Sequence, residues 1–186
     1  FDNAKARREL ALPTRPLTET IDRAIAFFRA TGMDRALPNF AIERAGRGNA
    51  FARMSRTYLV TGANTGIGRV TAEELARKGG RVFLACRSKD KTMPVIEGIR
   101  AAGGFAEFVP LDLADLASVR ACAADFAARK EPLHVLVNNA GLAGLRGLTK
   151  DGFELTFVTN HLGHFLLTKL LLPLLEEADD ARIVNV

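Results

Sequence analysis

Tryptophan is absent, tyrosine occurs once and cysteine twice, and each shortage removes a class of protein. Cys86 and Cys122 are too few for a disulfide framework, and no His or further Cys stands near them at metal-ligand spacing. A reducing, cytoplasmic setting without a metal is therefore expected. No apolar run is long enough for a bilayer, which needs about 20 consecutive residues. The longest strongly apolar stretch, Phe165 to Leu175, is interrupted by Thr168, Lys169 and Pro173. Low-complexity tracts are also missing, and a hydrophobic share of 48% is too high for a disordered chain.

A concentrated basic face is missing too. The formal charge is +5 over 186 residues, but residues 1–53 carry ten basic and six acidic groups, which leaves a net +1 for residues 54–186. A nucleic-acid module needs cations gathered on its folded surface. Nucleic acid is accordingly not expected as a partner.

The first 53 residues differ in character from the rest of the chain, with nine Arg and one Lys. Thr18 or Thr20 can cap a helix that presents Ile21, Ala24, Ile25 and Phe28 on one face and ends at Gly32. The segment has no apolar core of a secretory signal, and its acidic groups argue against an organelle transit peptide. Met54 stands just ahead of the first strand and is expected as the start of the domain. Residues 1–53 then form either a translated upstream tail or a packed helical extension.

From Thr57 onward, short aliphatic runs alternate with amphipathic ones. Strands are predicted at 57–60, 81–85, 105–109, 133–137 and 182–186, and helices at 66–78, 94–102, 116–129 and 153–175. That alternation specifies right-handed βαβ units around a parallel sheet, a Rossmann-type doubly wound α/β fold. The first strand leads into Thr61-Gly62-Ala63-Asn64-Thr65-Gly66-Ile67-Gly68. Glycines there permit a sharp strand-to-helix turn, and the helix start offers free N–H groups to a phosphate. Gly62, Asn64, Thr65, Gly66, Ile67 and Gly68 are thus candidates for a pyrophosphate cradle. A magnesium-nucleotide loop is disfavoured because Arg69-Val70 follow Gly68 in place of Lys and a hydroxyl residue.

The end of the second strand decides how an adenosine ribose is read. A carboxylate there binds a 2′-hydroxyl, whereas a cation accommodates a 2′-phosphate. The chain reads Leu84-Ala85-Cys86-Arg87-Ser88, so Arg87, with Lys89 nearby, favours NADP over NAD.

The glycine-rich turn, Leu-Asp-Leu (111–113), Asn-Asn-Ala-Gly (138–141) and Thr-Asn-His-Leu-Gly-His-Phe (159–165) together resemble the short-chain dehydrogenase/reductase family over residues 56–186. Leu-Ala-Cys-Arg and Asn-His-Leu-Gly-His-Phe-Leu-Leu-Thr look most like its retinol-dehydrogenase-like branch. The resemblance implies that Asp112 and Leu113 meet the adenine, although Asp112 is equally placed to cap the next helix. It also implies that Asn139, Ala140 and Gly141 border the nicotinamide ribose, while Asn138 either contacts cofactor or ties strands together. Asn160 is the one residue of the family's catalytic group that can be placed, as a support for a water-linked proton relay. His161 and His164 lack a third ligand for a metal, and His134 is expected in the core.

In the family the strand at 182–186 leads to a catalytic serine and then to Tyr-x-x-x-Lys. Neither motif is in this sequence, and Tyr58 lies ahead of the glycine turn, where it cannot substitute. The chain is therefore expected to be an amino-terminal fragment, the first five strands of a larger sheet, and inactive alone. Its last strand is expected to be uncovered and to favour aggregation. The implied parent is an NADP-dependent oxidoreductase that acts on a small or apolar alcohol or carbonyl and forms a homo-oligomer at full length. The alternatives are a non-catalytic nucleotide-binding module and a gene remnant.

Overall fold

Apolar side chains on both faces of the first four strands dictate a sheet covered on both sides there. The computed structural model describes residues 56–186; the helix expected over 18–32 and the start at Met54 lie outside the described residues. Strands β1 (Thr57–Thr61), β2 (Arg81–Cys86), β3 (Phe105–Pro110), β4 (Val135–Asn138) and β5 (Arg182–Asn185) form one sheet in the order β3-β2-β1-β4-β5. Every neighbouring pair is parallel. The expected doubly wound fold is thus present.

Helices α1 (Gly66–Arg77) and α2 (Lys89–Ala101) contribute Ala72, Ala76, Val95, Ile96 and Ile99 to one core, against Val60, Val82, Leu84 and Val137. On the opposite face, α3 (Leu116–Ala128) and α4 (Gly163–Glu176) bury Val119, Phe126, Leu167 and Leu171 against Leu59, Phe83, Val109 and Leu136. Alternate residues of β1 to β4 therefore serve opposite cores, which is why these strands read as continuous apolar runs. At the edge of this second core Phe83 packs edge-on to Phe126 with ring centroids 5.1 Å apart. Arg81 lies 3.9 Å from the Phe105 ring centroid and pairs with Glu131 at 2.9 Å.

Three local expectations are corrected. Helix α2 begins at Lys89 and not at Pro94, because Ser88 caps it: Lys91 N–H donates to Ser88 Oγ at 3.4 Å. Pro94 sits inside on the exposed side, and the helix forgoes one backbone bond there. Strand β4 starts two residues late, at Val135, since His134 turns its Nδ1 to accept the Thr57 N–H at 3.0 Å. The long helix expected from 153 to 175 is divided into a turn at Leu155–Phe157, a π-helical segment at Val158–Leu162 and then α4. Glu154 starts the turn by accepting N–H bonds from Thr156 at 2.9 Å and Phe157 at 2.6 Å.

Strand β5 pairs with β4 but all four of its residues are exposed. Ile183 and Val184 thus present apolar surface among the described residues, as expected for an uncovered strand.

Phe83 is fully buried, so Phe83→Ala is expected to remove about 3–5 kcal/mol of stability. Urea denaturation followed by circular dichroism checks this.

Candidate cofactor site

Strand order reverses between β1 and β4, and open α/β sheets bind ligands at the carboxyl ends of strands where that happens. A cleft of about 610 Å³ lies there. It is lined by all twelve residues expected to contact cofactor, from Gly62 in the first turn to Gly141 after β4. Asn160 lines an adjoining cleft of about 650 Å³; Asn139, Ala140 and Gly141 form a wall common to both, and Val186 also borders each.

The glycine turn is held by close approach. Gly62 has φ of +65°, and a Cβ there would fall 2.8 Å from Ala140 Cα. Gly66 has φ of +55°, yet a Cβ would meet nothing within 4 Å, so its backbone faces the open cleft. A Cβ on Gly68 would fall 2.3 Å from the Asn139 amide nitrogen. Helix α1 begins at this point, with Thr65 making no side-chain cap. The N–H groups of its first turn have no partners within the helix and suit an anion.

Thr61 organises the wall. Its Oγ1 accepts N–H bonds from Asn139 and Ala140, each at 2.9 Å. The Asn139 amide donates back to the Thr61 carbonyl at 2.9 Å. Asn138 is a tie: its amide donates to Thr168 Oγ1 at 3.0 Å and Asn185 Oδ1 at 2.9 Å. Asn160 clamps the end of the same loop, accepting the Leu142 N–H and donating to the Leu142 carbonyl, both at 2.9 Å.

At the far end, Arg87 and Lys91 line the cleft beside Ser88 and Cys86. Lys89 is not among these lining residues; the cap at Ser88 brings Lys91 round to the cleft. Burial pushes the Cys86 thiol above its usual value. Asp112 accepts the Ala114 N–H at 3.0 Å in a tight turn, and Asp115 caps α3. The capping role considered for Asp112 therefore belongs to its neighbour.

The histidines separate by environment. His161 is exposed and lies against Phe157, with ring centroids 5.4 Å apart. His164 is buried, with Nε2 2.9 Å from Thr61 Oγ1. Sequence reasoning weighed these two only as metal ligands and overlooked Thr61, Lys91 and the separate part played by His164. The one available signal was that Thr61 is a hydroxyl residue ending a buried strand.

A parallel sheet in this order, with a glycine turn opening onto a cleft at the reversal of strand order, is a Rossmann-like nucleotide-binding arrangement. The chain belongs to the short chain dehydrogenase family, whose model matches residues 56–186. It is 53% identical over 134 residues to retinol dehydrogenase 11 of Mus musculus, covering 70% of this chain and 42% of that protein. It is 51% identical over 138 residues to polyprenol dehydrogenase of Mus musculus, covering 70% and 41%. The solved structure of a metagenomic short-chain oxidoreductase in complex with NADP is 32% identical, with a TM-score of 0.63, covering 70% of this chain and 61% of that one. The chain thus spans about two-fifths of the length of these curated relatives.

The two positive-φ glycines of the turn should differ in their tolerance of a side chain. Gly66→Ala meets only the left-handed backbone penalty of about 1–2 kcal/mol, whereas Gly62→Ala also drives a Cβ into Ala140. Thermal unfolding should show the Gly62 variant to be the less stable of the two. Burial holds His134 and His164 below the ordinary histidine value of 6.5. The unfolded chain takes up protons as pH falls past 6.5 while the folded chain resists, so stability declines below that pH. The unfolding midpoint should fall between about pH 7 and 5.5, and less steeply in His164→Gln.

Proposed function

We propose that this chain is the cofactor-binding part of an NADP-dependent oxidoreductase that interconverts an alcohol and a carbonyl. One observation carries the proposal: a single cleft joins the glycine turn to Arg87 and Lys91 at one end and to the Asn139–Gly141 wall at the other. NADP fits these residues. The first turn of α1 and the open backbone at Gly66 would take the pyrophosphate, and Arg87 with Lys91 would take the 2′-phosphate. Asp112 and Leu113 would border the adenine, with Asn139, Ala140 and Gly141 at the nicotinamide ribose. When bound, the cofactor supplies or accepts a hydride.

Asn160 is assigned to the catalytic group as a support. Its amide is committed to Leu142, which leaves the loop fixed beside the adjoining cleft. Ile183, Phe165 and Val186 give that cleft an apolar side, in keeping with an apolar substrate. Retinol and polyprenol, named in two relatives, are both isoprenoid alcohols, and an alcohol of that class is the substrate we assign to the full-length protein. Exposed Phe165 and Leu172 on α4 support a homo-oligomer at full length. We place the protein in the cytoplasm, where Cys86 and Cys122 would stay reduced.

A second reading is a nucleotide binder without turnover: Tyr58, the one tyrosine of these 186 residues, lies in β1 and does not line the adjoining cleft. Both readings require NADPH binding by this chain, and carbonyl reduction by the full-length protein separates them. Arg87→Asp is expected to weaken NADPH binding about tenfold while NADH binding is unchanged. Fluorescence titration measures this, and equal losses for both cofactors would refute the assignment of Arg87.

A further inference from the structure

Among the buried polar side chains to which the proposed function gives no part is His164. His164 lies where β1, the end of β4 and the start of α4 meet. Its Nε2 is 2.9 Å from Thr61 Oγ1, and its Nδ1 is 3.4 Å from the Asn160 carbonyl oxygen. The threonine points to the nitrogen that holds the proton. A hydroxyl has one proton and two lone pairs, and the lone pairs of Thr61 face two N–H donors, that of Ala140 and that of Asn139, which is shared with the Val137 carbonyl at 3.1 Å. Of the two acceptors within reach of the Thr61 proton, His164 Nε2 at 2.9 Å is nearer than the Val137 carbonyl at 3.4 Å, which already takes the Asn139 N–H. Nε2 accepts, so the ring proton is on Nδ1 and points toward the Asn160 carbonyl.

The same arithmetic requires an uncharged ring, because an imidazolium has no lone pair to accept with. Burial favours that state. A charged ring would bring a third donor to a Thr61 oxygen that already serves two.

We propose that His164 is a positioning residue for the wall shared by the two clefts: as the Nδ1–H tautomer it fixes the Thr61 hydroxyl so that both lone pairs hold the Asn139–Ala140 turn. The ring braces the loop a second time through Asn160, whose backbone it contacts and whose amide clamps Leu142. Both ends of the segment 139–142 thus refer back to one imidazole. The consequence for cofactor affinity rests on the reading of the cleft at the glycine turn as an NADP site; the tautomer and the bracing do not.

The test uses the 186-residue chain with its three histidines. Long-range ¹⁵N–¹H correlation of the imidazoles, with His164 assigned by loss of its signal in His164→Gln, is expected to show Nδ1–H; an Nε2–H tautomer at His164 overturns the proposal. Glutamine can place an acceptor oxygen where Nε2 stands, while asparagine and leucine cannot reach Thr61. His164→Gln should therefore keep NADPH affinity within about threefold, whereas His164→Asn and His164→Leu lose about tenfold. In the latter two, the Asn139 and Ala140 amides should exchange with solvent faster. Unchanged affinity and exchange in His164→Leu overturns the proposal while leaving the NADP reading intact. A wild-type chain with the Nδ1–H tautomer and variant-sensitive amides but no NADPH affinity supports the bracing and overturns the NADP reading.

Discussion

The contact of Gly62 with Ala140, with no room for a Cβ between them, is the constraint on which the site depends. It brings the turn after β1 against the segment after β4, and the cleft exists because those two backbones meet at the point where strand order reverses. Neither segment makes the contact alone. The Thr61 hydroxyl supplies the polar counterpart, accepting the N–H groups of Asn139 and Ala140 just past the end of the strand. Packing and hydrogen bonding thus act on the same few residues, and the apolar cores on either side of the sheet hold β1 and β4 in register for both.

Much of this was legible in the amino-acid order. Strands β1, β2, β3 and β5 and helices α1 and α3 begin at their expected residues and end within a residue of the expected ends, because their apolar period is unbroken and Gly, Asp or Arg stands at the ends. All twelve expected cofactor contacts lie in one cleft because each ends a strand or opens a helix on the same edge. What failed was governed by single side chains. Ser88 as a cap moved the start of α2 five residues upstream, against a proline that argued for a later start. Lys91 took the place expected of Lys89 for the same reason.

The division of the long helix was not legible, since its hydrophobic spacing continues through the break. The cause is tertiary. Gly163 passes so near Leu113 that a Cβ would lie 2.6 Å from the Leu113 carbonyl oxygen, and the chain has to reach that approach from the loop fastened by Asn160. Pattern reads the face a helix turns to the core; it does not read how closely the backbone must come. The relations among His164, Thr61 and Asn160 escaped for a similar reason, as His164 and Thr61 are separated by 103 positions in the chain.

The π-helical segment at Val158–Leu162 has one further implication. Each turn of a π-helix carries an extra residue relative to an α-helix, and one residue corresponds to a rotation of about 100°. The wider turn absorbs that residue, so α4 keeps the angular phase it would have without it. Drawn out as an ordinary helix with every residue retained, the segment would swing each later side chain by that angle, taking His164 off Thr61 and Leu167 and Leu171 off the sheet. Removing one residue and closing the turn would instead leave the inward face of α4 where it is, so this is the point in the helix where a one-codon loss is least disruptive.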